Sequence, residues 1–142
     1  MTVAKRTAIL VLVGWLLLSW TACRRAGTRT DRTLDGTSWT LISYRKTTPI
    51  PGTTITATFA GGQVSGSAGC NSYRGPYAIS DDTISVGALA STKMACLEPQ
   101  GRMAQETLFL ELLQSAHTFN LGDGLLEIYF SEHDSLIFEQ RE

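Results

Sequence analysis

A chain of 142 residues has room for one ordinary domain and little else, since single cores commonly take on the order of 100–150 residues. Hydrophobic residues make up 43% and charged residues 18%, an ordinary globular balance, but the apolar residues crowd the N-terminus and the two ends must be read separately. Six of the twelve Lys and Arg, but only one of the thirteen Asp and Glu, precede Leu34; the remainder holds six cations against twelve acids, with no basic cluster, which excludes nucleic acid as a partner.

Residues 1–22 have the layout of a secretory signal: Lys5 and Arg6, an uncharged run from Ala8 to Trp20, then Thr21-Ala22 before Cys23. The apolar run reaches about 13 residues, whereas a spanning helix needs about 20, so cleavage is expected rather than insertion. Small residues directly before Cys23 resemble the lipobox of bacterial lipoproteins, in which the cysteine becomes the lipidated first residue, although Trp20 stands where that pattern usually has an aliphatic side chain. Two or more acyl chains would hold the protein firmly, at roughly 0.8 kcal/mol per buried methylene. Residues 23–33, rich in Arg, Thr and Gly, read as a flexible tether whose arginines can lie against anionic headgroups. Arg24 is not the aspartate associated with inner-membrane retention in some bacteria, so the expected address is the cell envelope, at the outer membrane and facing the periplasm.

Residues 34–142 form the expected domain, in which short strands alternate with turn residues. A first strand sets Trp39, Leu41 and Ser43 against Thr40, Ile42 and Tyr44. A hairpin then runs from Ile55, Ala57 and Phe59 across Gly61-Gly62 to Val64–Ala68, with both glycines suited to the positive φ of a tight turn. Tyr77 and Ile79 pair with Ile84 and Val86 across Ser80-Asp81-Asp82. Beyond them, Pro99 to Ala116 carries Met103, Leu108, Leu110, Leu112, Leu113 and Ala116 at helical spacings, with Gln105, Glu106, Glu111 and Gln114 as its polar side and His117 capping its end. Phe119 and Leu121 pair with Leu125–Phe130 across Gly122-Asp123-Gly124, and Leu136–Phe138 closes the chain. The fold class is therefore α+β and β-dominated: a curved antiparallel sheet or small barrel-like fold of about eight strands with one packed helix. Trp39, Phe59, Tyr77, Phe119, Tyr129 and Phe138 are the large side chains available to fill its interior.

Two cysteines remain in this domain, Cys70 and Cys96. In an oxidising compartment they most simply form one disulfide, because neither a C-x-x-C spacing nor a neighbouring basic cluster marks a reactive thiol. Cys70 lies in Gly66-Ser67-Ala68-Gly69-Cys70-Asn71-Ser72-Tyr73-Arg74-Gly75, and Cys96 ends Leu89-Ala90-Ser91-Thr92-Lys93-Met94-Ala95-Cys96. Together with Leu34-Asp35-Gly36-Thr37-Ser38-Trp39 at the start, these segments resemble the META domain (HslJ-like) family over nearly all of residues 34–140. The resemblance implies a compact β-rich fold with a helix, a cysteine pair thought to form a disulfide, and members that are mostly exported or envelope proteins without an established reaction. Its motif residues here are Gly69, Cys70, Asn71, Tyr73, Gly75, Thr92, Met94 and Cys96. Physically, Gly66, Gly69 and Gly75 permit close backbone approach and positive angles at a bend, and Asn71 can bond its own neighbouring backbone. Asn71, Tyr73 and Arg74 are also candidates for a polar recognition patch.

No chemistry emerges from the remaining constellations. His117 and His133 stand sixteen positions apart with no shared ligand motif, which gives no metal site. There is no G-x-S-x-G, and Asp81-Asp82 reads as a turn rather than an acid/base pair, which leaves a hydrolase improbable and no cofactor implied. The expected function is a non-enzymatic, lipid-anchored envelope protein acting in envelope maintenance or stress tolerance through contacts with an envelope protein, with the membrane as its other partner. The alternative is a carrier whose barrel interior is left open to a small ligand.

Overall fold

The computed structural model describes residues 33–142, so the signal, Cys23 and most of the tether lie outside the described residues. Nine strands follow in order: β1 (Thr37–Tyr44), β2 (Thr56–Ala60), β3 (Gln63–Ser67), β4 (Ser72–Ser80), β5 (Thr83–Val86), β6 (Ala90–Ser91), β7 (Thr118–Gly122), β8 (Leu125–Tyr129) and β9 (Ser135–Gln140). Helix α1 (Arg102–Gln114) separates β6 from β7. Eight strands form a ring in the order β3-β2-β1-β9-β8-β7-β5-β4, closed by pairing of β4 with β3. All pairings are antiparallel, and closure removes the free edges that an open sheet would expose. Strand β6 stands outside the ring and pairs only with β4.

The tight turns fall where the backbone needs them. Gly61 and Gly62 have φ of 57° and 74°, and Asp123 and Gly124 have φ of 53° and 74°, the paired positive angles whose twist suits a two-residue hairpin. Period-two alternation then points Trp39, Leu41, Ala57, Phe59, Val64, Ile84, Phe119, Leu126, Ile128, Leu136 and Phe138 inward, all buried.

One strand departs from simple alternation. The β1–β9 register runs Leu41↔Phe138 and then Ser43↔Ile137, so Ile42 is an extra residue in β1. Ile42 is exposed on the side alternation gives it, but after the bulge the expected sides reverse: Ser43 lies outside with Ile137, and Tyr44 turns inward against the core.

The helix also differs from its sequence pattern. It begins at Arg102 rather than at Pro99, because Pro99 and Gly101 form the preceding turn, with Arg102 N donating to Pro99 O at 3.2 Å and Gly101 at φ 88° as its N-cap. Its buried face is Gln105, Glu106, Phe109 and Leu113. Phe109 is fully buried, edge-to-face with Tyr73 at 5.5 Å and with Phe138 at 6.5 Å, whereas Leu108, Leu110 and Leu112 are only half-buried. The sequence offers two i, i+4 apolar pairs, Leu108 with Leu112 and Phe109 with Leu113, and the mouth of the barrel accepts the one that carries Phe109. His117 does not cap the helix. Ser115 does, while the His117 backbone already joins the sheet, with N donating to Tyr129 O at 3.0 Å and O accepting from Ile84 N at 3.1 Å. In the interior, Tyr129 is half-exposed and takes no part in the core expected of it; Tyr77 is also only partly buried, edge-to-face on Phe59 at 5.0 Å.

Candidate functional site

The motif residues meet where β3 turns into β4. Ala68 N donates to Asn71 O at 2.8 Å across the turn, and Gly69 takes φ 111°, an angle that disfavours any side chain. A Cβ on Gly66 would overlap the carbonyl oxygen of Thr56, so only glycine lets β3 press onto the start of β2. Cys70 at the turn is disulfide-bonded to Cys96, with Cα atoms 6.0 Å apart.

Asn71 is 1% exposed, and its amide uses its full hydrogen-bonding capacity. Its Oδ1 accepts from Met94 N at 2.7 Å and from Thr92 Oγ1 at 2.8 Å. Its Nδ2 donates to Met94 O at 3.1 Å and to Glu106 Oε1 at 2.7 Å. The side chain thus imitates a peptide group facing Met94 and extends the β4–β6 pairing past Thr92. This differs from the local turn bond suggested by its setting, since its partners lie twenty or more positions away. Glu106 Oε2 accepts from Asn71 N at 2.7 Å and Cys70 N at 3.2 Å, which ties helix α1 to the same turn.

Gln105 and Glu106 therefore belong to the buried face and not to the solvent side expected for them. Gln105 Oε1 accepts from Ile50 N at 2.6 Å, and its Nε2 donates to Thr53 Oγ1 at 2.9 Å, fastening the β1–β2 connection to the helix. Buried polar groups need partners, and these two side chains find theirs in the backbone N–H groups of Ile50, Cys70 and Asn71. The remaining motif positions are structural too. Burial pushes the Tyr73 phenol well above the ordinary tyrosine value, so it stays a neutral donor, to Thr56 O at 2.9 Å. A Cβ on Gly75 would come within 2.7 Å of Ala88 O and Leu89 Cδ2.

Of the recognition patch suggested by the sequence, Asn71 and Tyr73 are buried and only Arg74 faces outward. It lines an open groove of about 580 Å³ with Ser65, Ser67 and Ser72, and is the one charged residue there. His117 and His133 are exposed, and among the described residues no group of three or more His, Cys, Asp or Glu is placed to hold a metal ion.

Breaking the Cys70–Cys96 bond should lower stability substantially. The bond closes a separation of 26 residues, worth about 3.5 kcal/mol by loop-closure entropy. The urea midpoint of the chain with and without reductant, alongside intact mass after thiol trapping, measures it; an unchanged midpoint in a fully reduced sample contradicts it.

A closed eight-stranded barrel with an aromatic core, one helix over its mouth and a disulfide-locked polar turn defines a small β-barrel protein. The chain belongs to the META domain family, whose model matches residues 32–142. It is similar to a protein from Burkholderia xenovorans with an NMR structure, at 30% identity and TM-score 0.63, over 76% of this chain and 83% of that one. A second NMR structure matches at 22% identity and TM-score 0.60, over 75% of this chain and 90% of the other. The crystal structure of a duf4847 family protein from Bacteroides vulgatus matches at 15% identity and TM-score 0.55, over 75% and 93%; these last two similarities concern the fold alone. Comparison with curated proteins returns no match.

Proposed function

We propose that this META-domain protein is a non-enzymatic envelope protein, lipid-anchored through Cys23 after removal of residues 1–22, that supports envelope integrity under stress through surface contacts with other proteins. The observation that carries this reading is the filled interior. Trp39, Phe59, Phe109 and Phe138 are each at most 1% exposed, and they occupy the space that a carrier would leave to its ligand. The buried polar groups of the motif are committed to one another, so the outer surface is what remains for partners.

Membrane attachment and role are tested together in a strain lacking the protein and challenged with detergent. The wild-type chain should restore survival and take up labelled palmitate; Cys23→Ser should do neither. Full rescue and labelling by Cys23→Ser would remove the anchored reading.

A further inference from the structure

The ring of eight strands has no free edge, and β6 creates one. Its register pairs Ala90 with Arg74 and Ser91 with Tyr73. Thr92 N donates to Ser72 O at 3.0 Å, and both backbone groups of Met94 bond the Asn71 amide, so the Thr92 N–H and the Met94 N–H and C=O turn towards the start of β4. Antiparallel ladders alternate, so Ser91 and Lys93 turn theirs away from it. At one end of this edge the helix closes the strip, with Leu89 N donating to Gln114 Oε1 at 3.4 Å. At the other end Met94 is 57% exposed and Leu97 is 84% exposed, giving apolar contacts beyond the pairing positions.

Charge narrows what this edge can accept. The described domain is acidic, yet two of its six cations flank β6. Arg74 lies on the face of its pairing partner Ala90, in the open groove that contains no acid, and alternation puts Lys93 on the opposite face with Ser91. A strand added to this edge would meet Lys93 directly and Arg74 one strand further in.

We propose that the β6 edge is a docking site for an extended, carboxylate-bearing peptide segment of another protein, added as a further strand through Ser91 and Lys93. This rests on the reading of a protein-contact domain and names the class of partner. Backbone pairing supplies general affinity, while Arg74 and Lys93 favour acidic over basic strands. A short edge with a lysine discourages indiscriminate strand pairing, and a carboxylate on the added strand offsets that penalty.

The full chain in detergent micelles is titrated with a short labelled peptide of alternating Glu and Thr, with a Lys–Thr peptide as control. Binding is followed by fluorescence anisotropy and mapped by amide shifts. The acidic peptide should bind, shift the Ser91 and Lys93 amides, and weaken roughly tenfold on Arg74→Gln. Ser91→Pro removes the outward donor but leaves the β4 pairing of residues 90 and 92, so it should abolish binding with an unchanged denaturation midpoint. No binding, shifts confined to other strands, equal binding of the basic peptide, or undiminished binding to folded Ser91→Pro each overturns the proposal. Concentration-dependent self-association at the same amides also overturns it, because a second copy would then hold the edge. Should Ser91→Pro unfold, the wild-type shift map and Arg74→Gln still decide. Failure here leaves the detergent-survival experiment unaffected, so the two readings fall separately.

Discussion

Replacing Glu106 by Ala should destabilise the domain by about 3 kcal/mol or more, although the residue sits in a helix and reads as solvent-facing. The carboxylate accepts from Cys70 N, Asn71 N and Asn71 Nδ2, and the residue is only 5% exposed. Alanine leaves two buried donors and one part-buried donor without this acceptor, and each buried one carries a desolvation penalty of about 1–3 kcal/mol before relaxation. Glu106→Gln should not restore the loss, because it keeps one acceptor oxygen and sets an NH2 group against the remaining donors. Urea denaturation measures both, with an unchanged dependence on denaturant showing that the folded and unfolded states are otherwise comparable. A loss under about 0.5 kcal/mol for Glu106→Ala, the range of an ordinary surface substitution, would contradict the network.

Phe109→Ala should cost a further class of stability, about 3–5 kcal/mol, by hollowing the barrel mouth. The ring is fully buried and touches Tyr73 from the motif strand and Phe138 from β9, so its removal uncouples the helix from both. Leu108→Ala, one position away and half-buried, should cost no more than about 1 kcal/mol. Thermal or urea unfolding of the two variants separates the stripes: if Leu108→Ala is the more damaging, the packing of α1 described above is wrong.

These two residues mark the boundary of what could be read from the chain alone. The hairpins were legible, because Gly61-Gly62 and Asp123-Gly124 announce their turns and the flanking β-branched and aromatic residues alternate with period two. The hairpin that joins Tyr77 and Ile79 to Ile84 and Val86 follows from that alternation, as does a barrel-like sheet of about eight strands with one helix, while its register, Tyr77↔Val86 and Ile79↔Ile84, came from the structure. The helix face was not legible. Leu108 and Leu112 at i, i+4 offered as good an apolar pair as Phe109 and Leu113, and hydropathy assigned Gln105 and Glu106 to water. The one available signal was negative: a glycine-rich turn with Asn71 has backbone donors at Cys70 and Asn71 that need acceptors, and a nearby acidic helix residue can supply them.

Local sequence determined the strands, their turns and the family motif, because backbone angles and alternation depend on neighbours only a few positions away. Tertiary structure decided the bulge that turns Tyr44 inward, the helix face that enters the barrel, and the partners of Asn71, Gln105 and Glu106. It also left β6 outside the ring. Those outcomes depend on which donors, acceptors and cavities closure brings together across tens of residues, and no short-range pattern encodes that.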